Sequence, residues 1–259
     1  MTPTGSPLLA AALAFQRRLD VALASRVEDI PCGTAIFREE LPRVTDLNVL
    51  LVERGAAEAG ALKLMAEAER LQVGLPHRAI RIDEPGVAAQ LAPEFAGSGW
   101  VVSRTAVLVL RRSPDRMIDV SCVELVDTEL LRPARESAIR RVHRDLDVAG
   151  EALEVGALQA DEAQLEAYAA LVNGEVAAYC LLRIGDGGAK LVEVQALARA
   201  KGQGVGRATI WAAAFSARRR GISPIFVECE DEEWAKSVYH RLGFDEVGKV
   251  YRFVRPWGD

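Results

Sequence analysis

Histidine is scarce in this 259-residue chain, and cysteine is scattered. His77, His143 and His240 stand far from one another and from every cysteine, which excludes a zinc site of the usual ligand spacing. No Cys-x-x-Cys pair joins Cys32, Cys122, Cys180 and Cys229. That pattern fits a reduced cytosolic protein better than a disulfide framework. A membrane-spanning run is also missing from the N-terminus. "PLLAAALAF" is apolar for nine residues, too short to cross a bilayer. It has no basic segment before it and no clear cleavage site after it. A first amphipathic helix is expected there, with Leu9, Leu13, Phe15 and Leu19 at helical spacing. Excess positive charge is lacking as well. The formal net charge of -5 argues against nucleic acid as the main partner. The expectation is a cytoplasmic protein with no metal, no membrane and no nucleic-acid partner.

What is present is enough apolar material for a sizeable core, since half the residues are hydrophobic. Two parts are expected, residues 1–115 and 116–259, joined at the charged, proline-bearing "RRSPDR" (Arg111–Arg116). The first part reads as the opening helix, a strand at Leu47–Glu53, a helix at Ala56–Gln72, a strand at His77–Ile82 and a further helix. "VVSRTAVLVLRR" follows as a strand or a hairpin pair. In the second part "CVELV" reads as a strand, and one or two helices surround Pro133. The dipeptide Asn173-Gly174 between apolar runs signals a hairpin, and "GDGG" (Gly185–Gly188) signals another turn. "SPIFVEC", "DEEWAKSVYHRLG" and "VGKVYRFVR" complete a strand–helix–strand ending. This order predicts an α+β fold with a mixed, mostly antiparallel sheet flanked by helices.

The stretch "KGQGVGRATIWAAAFSARRRG" (Lys201–Gly221) carries the most chemistry. A strand precedes it, and a helix follows with Ala208, Trp211 or Ala212, and Phe215 on one apolar face. Bare backbone amides at a helix N-terminus make an anion site, and glycine permits close approach. Taken alone, the three glycines serve equally well as a flexible hinge. The spacing is neither a P-loop, which would end in Gly-Lys-Ser/Thr, nor Gly-x-Gly-x-x-Gly.

Two motifs together resemble the GNAT superfamily of acyl-CoA-dependent N-acyltransferases. Lys201–Gly206 resembles its Arg/Gln-x-x-Gly-x-Gly/Ala signature. "AKSVYHRLGF" (Ala235–Phe244) resembles its Ala-x-x-Leu/Val-Tyr-x-Lys/Arg-x-Gly-Phe segment. The resemblance spans residues 120–259 and looks like an actinobacterial-type branch, with Trp234 before the tyrosine segment. It implies acetyl-CoA as co-substrate, with the pyrophosphate on the amides of Gln203, Gly204, Val205, Gly206 and Arg207. Lys201 stands where Arg or Gln is usual. Ala196 and Leu197 would hold the pantetheine arm as an added strand would. Tyr239 falls where the family's tyrosine protonates the departing thiolate. Glu193 is the first candidate for the base that takes the amine proton, and Glu228 the second. Glu232 departs from the family, which often has Asn there.

Other readings stand beside these. Glu193 could lie on an exposed sheet face, or pair with Lys190 or Arg183. Tyr239 could be a packing residue. Cys180 and Cys229 read as buried, inert thiols rather than nucleophiles. Arg218, Arg219 and Arg220 could hold a 3′-phosphate, or form a solvated helix end. In the first part Gly99-Trp100 parallels Gly243-Phe244, which suggests a degenerate second copy without glycine loop or tyrosine. The implied function is N-acetylation of a small-molecule amine by direct attack in a ternary complex, with a homodimer possible. The alternatives are a non-catalytic acyl-CoA sensor or interaction module, and a nucleotide-binding protein using the same loop.

Overall fold

The computed structural model describes residues 6–142, 147–152, 154–155, 164–200 and 202–256. Two compact units divide the chain: Met1–Phe15 with Ala106–Val247, and Gln16–Thr105 with Gly248–Asp259. They are called here the loop unit and the companion unit. The sequence places a single boundary at residues 115/116. The units instead each take one terminal segment from the opposite half of the chain.

In the companion unit, the largely apolar runs "GTAIF" and "VLLV" form strands buried on both faces, while the edge strand "RVEDI" alternates. β1 (Arg26–Ile30), β2 (Gly33–Phe37) and β3 (Val49–Val52) make an antiparallel meander. Helix α2 (Ala56–Leu71) crosses over to β4 (His77–Ile82), which lies parallel to β3. The end of the last strand, β11 (Phe244–Pro256), runs antiparallel to β4 with Phe253 opposite Ile80. Helix α3 (Pro85–Gly97) adds Phe95 to a core that holds Leu50, Val52, Leu64, Ile82 and Phe253. The arginines of "HRAIRI" are buried because each has a carboxylate. Arg81 lies 2.8 Å from Asp20 of α1 (Pro7–Leu23) and 3.2 Å from Asp83, and Arg78 lies 3.0 Å from Glu69. Unpaired, such charges would be prohibitively costly there.

In the loop unit, β7 (Gln164–Val172), β8 (Glu175–Gly185) and β9 (Gly188–Ala196) form a second antiparallel meander. Asn173 and Gly174 both take positive φ, 54° and 77°, as an Asn-Gly hairpin requires. Edge strand β6 (Val123–Val126) pairs with β7. Helix α4 (Thr128–Val142) continues through Pro133 as one helix and packs Leu131 against Tyr179 and Leu181. Helix α5 (Val205–Arg219) crosses over to β10 (Ile225–Glu230), parallel to β9, and α6 (Glu233–Arg241) leads into β11. "VVSRTAVLVLRR" proves to be one strand, β5 (Val101–Leu110), and its end neighbours β10 in this unit.

The buried face of α5 differs from the one expected. Ala208, Ile210, Ala213, Ala214 and Ala217 face the core, while Phe215 is 44% exposed and stacks on Trp211. Alanines let the helix lie close to the sheet, and the bulky rings are pushed to its rim. Each unit thus combines a parallel strand pair with antiparallel ones, which is the predicted mixed class. Among the described residues, no helix is long and apolar enough to cross a membrane.

Candidate active site

β9 and β10 pair only briefly, from Ala189/Ile225 to Leu191/Val227. Just beyond, β9 bulges. Leu181 faces Val192 and Tyr179 faces Gln195, so Glu193 and Val194 together oppose Cys180. Glu193 takes φ 49°, one of two non-glycine residues at positive φ among those described. A bulge bends its strand and ends regular pairing. A cleft of about 900 Å³ opens where the two strands part. Its walls are Leu191–Ala196, Val227–Glu230, the glycine loop, and Ala235, Val238 and Tyr239 of α6.

The glycine loop closes one side of this cleft. Gly204 (φ 81°) is the N-cap of α5, and no side chain caps the helix. The first-turn amides of Val205, Gly206 and Arg207 therefore lack intrahelical acceptors and carry the positive end of the helix dipole. Gly206 is already helical. A Cβ there would lie 3.4 Å from the Cβ of Ala196, so this glycine serves the approach of helix to strand. Two of the expected binding residues have their amides engaged within the fold. The Gln203 amide donates to the Ala200 carbonyl at 3.3 Å, and the Leu197 amide to the Ala177 carbonyl at 2.9 Å. Ala196 does line the cleft. Lys201 lies outside the described residues.

Tyr239 enters from α6 and is 9% exposed. Its ring meets Phe244 edge-on at 5.9 Å. Among the described residues nothing hydrogen-bonds its hydroxyl. Burial is the main cause that holds this phenol above the usual tyrosine range, with Cys229 and Cys180 adding to the effect. It therefore stays protonated at neutral pH. Trp234, at the start of α6, is exposed, and its indole N–H donates to Glu232 at 2.5 Å.

Both candidate bases face the cleft, and both are ion-paired. Arg135 of α4 grips Glu193 with two bonds of 2.7 Å, to Oε2 and Oε1. The partners expected from sequence were Lys190 or Arg183. Lys190 instead lies 2.8 Å from Glu228. Sequence reasoning missed Arg135 because it is 58 positions from Glu193.

The triple arginine resolves as a helix end. Arg220 binds Glu166 at 2.6 and 2.9 Å, about 20 Å along α5 from the glycine loop. Three other arginines stand closer. Arg116, Arg207 and Arg241 line a second cleft of about 650 Å³, which shares Gly204 with the first. Among the described residues none of the three makes an ion pair with a carboxylate. The thiols are poor nucleophiles. Cys180 is fully buried and burial raises it strongly, while Cys229, half-buried in the cleft wall, is pushed up to about 11.

Residues 133–244 match the sequence model of the Acetyltransferase (GNAT) family. No curated protein matches the chain. Among solved structures, a GCN5-related N-acetyltransferase from Kribbella flavida is 18% identical and superposes with a TM-score of 0.65. It covers 100% of this chain and 98% of its own. A conserved protein of unknown function from Staphylococcus epidermidis is 14% identical, with a TM-score of 0.65, covering 90% and 94%. A GCN5-related N-acetyltransferase from Sphaerobacter thermophilus is 14% identical, with a TM-score of 0.52, covering 75% and 65%. At such identities the likeness is one of fold. The chain therefore has the GNAT fold, and residues 133–244, which carry the glycine loop and Tyr239, match that acetyltransferase family.

Proposed function

We propose that the protein transfers an acetyl group from acetyl-CoA to a primary amine of a small molecule, by direct attack in a ternary complex in the cytoplasm. One observation carries the reading. A single cleft joins the open amides of a helix N-terminus to a buried, protonated tyrosine.

The residues present fit the co-substrate. Val205, Gly206 and Arg207 offer amides to the pyrophosphate. The parted edges of β9 and β10 suit the amide-bearing pantetheine arm. Arg116, Arg207 and Arg241 suit the 3′-phosphate end. In the transfer step the amine nitrogen bonds to the thioester carbon and the carbon–sulfur bond breaks. Tyr239 donates its proton to the departing sulfur. A wall carboxylate accepts the proton lost by the amine. We assign that task to Glu228. Both oxygens of Glu193 are held by one guanidinium, and a proton arriving there would break the fork.

The companion unit reads as a degenerate second copy. Its order β1–β2–β3–α2–β4–α3 repeats β7–β8–β9–α5–β10–α6. Gly55 (φ 68°) precedes α2 as Gly204 precedes α5. Phe95 and Trp100 meet edge-on at 5.3 Å, as Tyr239 and Phe244 do. Three changes disarm this copy. β3 and β4 stay paired up to their last residues, Val52 and Ile82, rather than parting as β9 and β10 do. The Glu84 carboxylate takes the Ala56 amide at 3.1 Å, at the start of α2. Phe95 has no hydroxyl where Tyr239 has one.

The test is calorimetry with acetyl-CoA, followed by a thiol-release assay over a panel of amines. Binding with amine-dependent thiol release is expected. Binding without release from any amine would favour an acyl-CoA sensor, and absence of binding would refute the reading.

A further inference from the structure

The cleft depends on a backbone conformation that its own sequence disfavours. Glutamate at φ 49° is sterically strained, and such strain persists only where the surroundings over-determine it. Asn173, the other such residue, sits in a hairpin turn that suits asparagine. Glu193 sits in mid-strand, where the regular alternative would be to continue the ladder. What opposes that alternative is Arg135. Its guanidinium binds both carboxylate oxygens at 2.7 Å, and the two side chains are 13% and 29% exposed. A planar fork on a carboxylate fixes direction as well as distance. Arg135 in turn is anchored because α4 packs Leu131 on the meander.

We propose that Arg135 is a positioning residue that latches Glu193, holds the β9 bulge in its left-handed geometry, and so keeps the cleft open before any ligand arrives. Its link to thioester binding rests on the acetyl-CoA reading above, but the latch itself does not. The pair explains why a charged residue occupies the bulge, and it gives Glu193 a role other than proton transfer. Glycine at position 193 would adopt the same φ without strain, and would make the latch unnecessary.

Two measurements test this on the full-length protein. The first is amide hydrogen exchange of the segment 191–197 without ligand. Arg135→Ala is expected to speed exchange there, and the double variant Arg135→Ala/Glu193→Gly to restore it. The second is acetyl-CoA affinity. Arg135→Ala should weaken it by about 10- to 100-fold, the range implied by releasing one strained residue, and the double variant should recover most of that loss. Arg135→Lys, which keeps the charge but not the fork, should fall between. Equal exchange in wild type and Arg135→Ala would overturn the latch, as would a double variant no better than Arg135→Ala. Failure of the wild type to bind acetyl-CoA would instead refute the functional reading, and the exchange data would still decide the latch.

Discussion

Substituting Gly204 by valine separates two burdens that this residue carries. The first is conformational. Gly204 has φ 81°, and a left-handed residue with a branched side chain costs on the order of 1–2 kcal/mol. For a domain of this size that lowers Tm by only a few degrees. The second is access. An added Cβ would lie 3.5 Å from the Arg207 guanidinium and meet no backbone, so the fold can accept it. The isopropyl group would then stand beside the open amides of Val205 and Gly206. Loss of two charge-assisted hydrogen bonds at about 1.5–3 kcal/mol each weakens acetyl-CoA binding by roughly 10²- to 10⁴-fold. Gly202→Ala is the control. Gly202 has φ 82°, and nothing lies within 4 Å of the added Cβ. It shares the strain but blocks nothing, so affinity should fall less than about fivefold. Calorimetry, with thermal melts to confirm folding, reads both variants. A folded Gly204→Val that binds acetyl-CoA like the wild type would refute the phosphate cradle.

Tyr239→Phe should lower kcat by about 10²-fold with little change in the KM for acetyl-CoA, read by thiol release, and an unchanged kcat would remove the tyrosine from the mechanism. Because Cys229 is pushed up to about 11, iodoacetamide should label it slowly at pH 8 and faster as pH rises toward that value, measured by mass spectrometry. Cys229→Ala should keep acetyl transfer, whereas an acetylated Cys229 trapped in rapid quench would contradict direct attack. Titration should give a single acetyl-CoA per chain, since Glu84 occupies the start of α2 in the companion unit, and a second site of similar affinity would refute its degeneracy. Arg241→Ala should reduce the preference for CoA over 3′-dephospho-CoA by about 3- to 10-fold, read by competition, and an unchanged preference would move the 3′-phosphate elsewhere.

Local features of this chain were legible without a structure because neighbouring residues cause them. Asn173-Gly174 specifies its own turn. Gly202 and Gly204 announce left-handed backbone ahead of a helix. "YHRLGF" carries its tyrosine on a short helix toward a strand. The element order followed from apolar runs and their breaks, and with it the α+β class. Tertiary structure decided what depends on partners distant in sequence. Phe215 was misplaced because helical period finds an apolar face but not which residues a close-lying sheet can accept. The sequence named Gln203 and Leu197 as binding residues but could not show that Ala200 and Ala177 take their amides. Glu193 met Arg135 across 58 positions, and Lys190 met Glu228 across a strand pair. Arg116, Arg207 and Arg241 come to one cleft from three separate segments. The exchange of terminal segments between the two units was likewise invisible, since "PLLAAALAF" reads as a helix and "VGKVYRFVR" as a strand whichever partner each takes. A strand's sequence encodes its burial and period, while its neighbour is chosen by the packing of the whole chain.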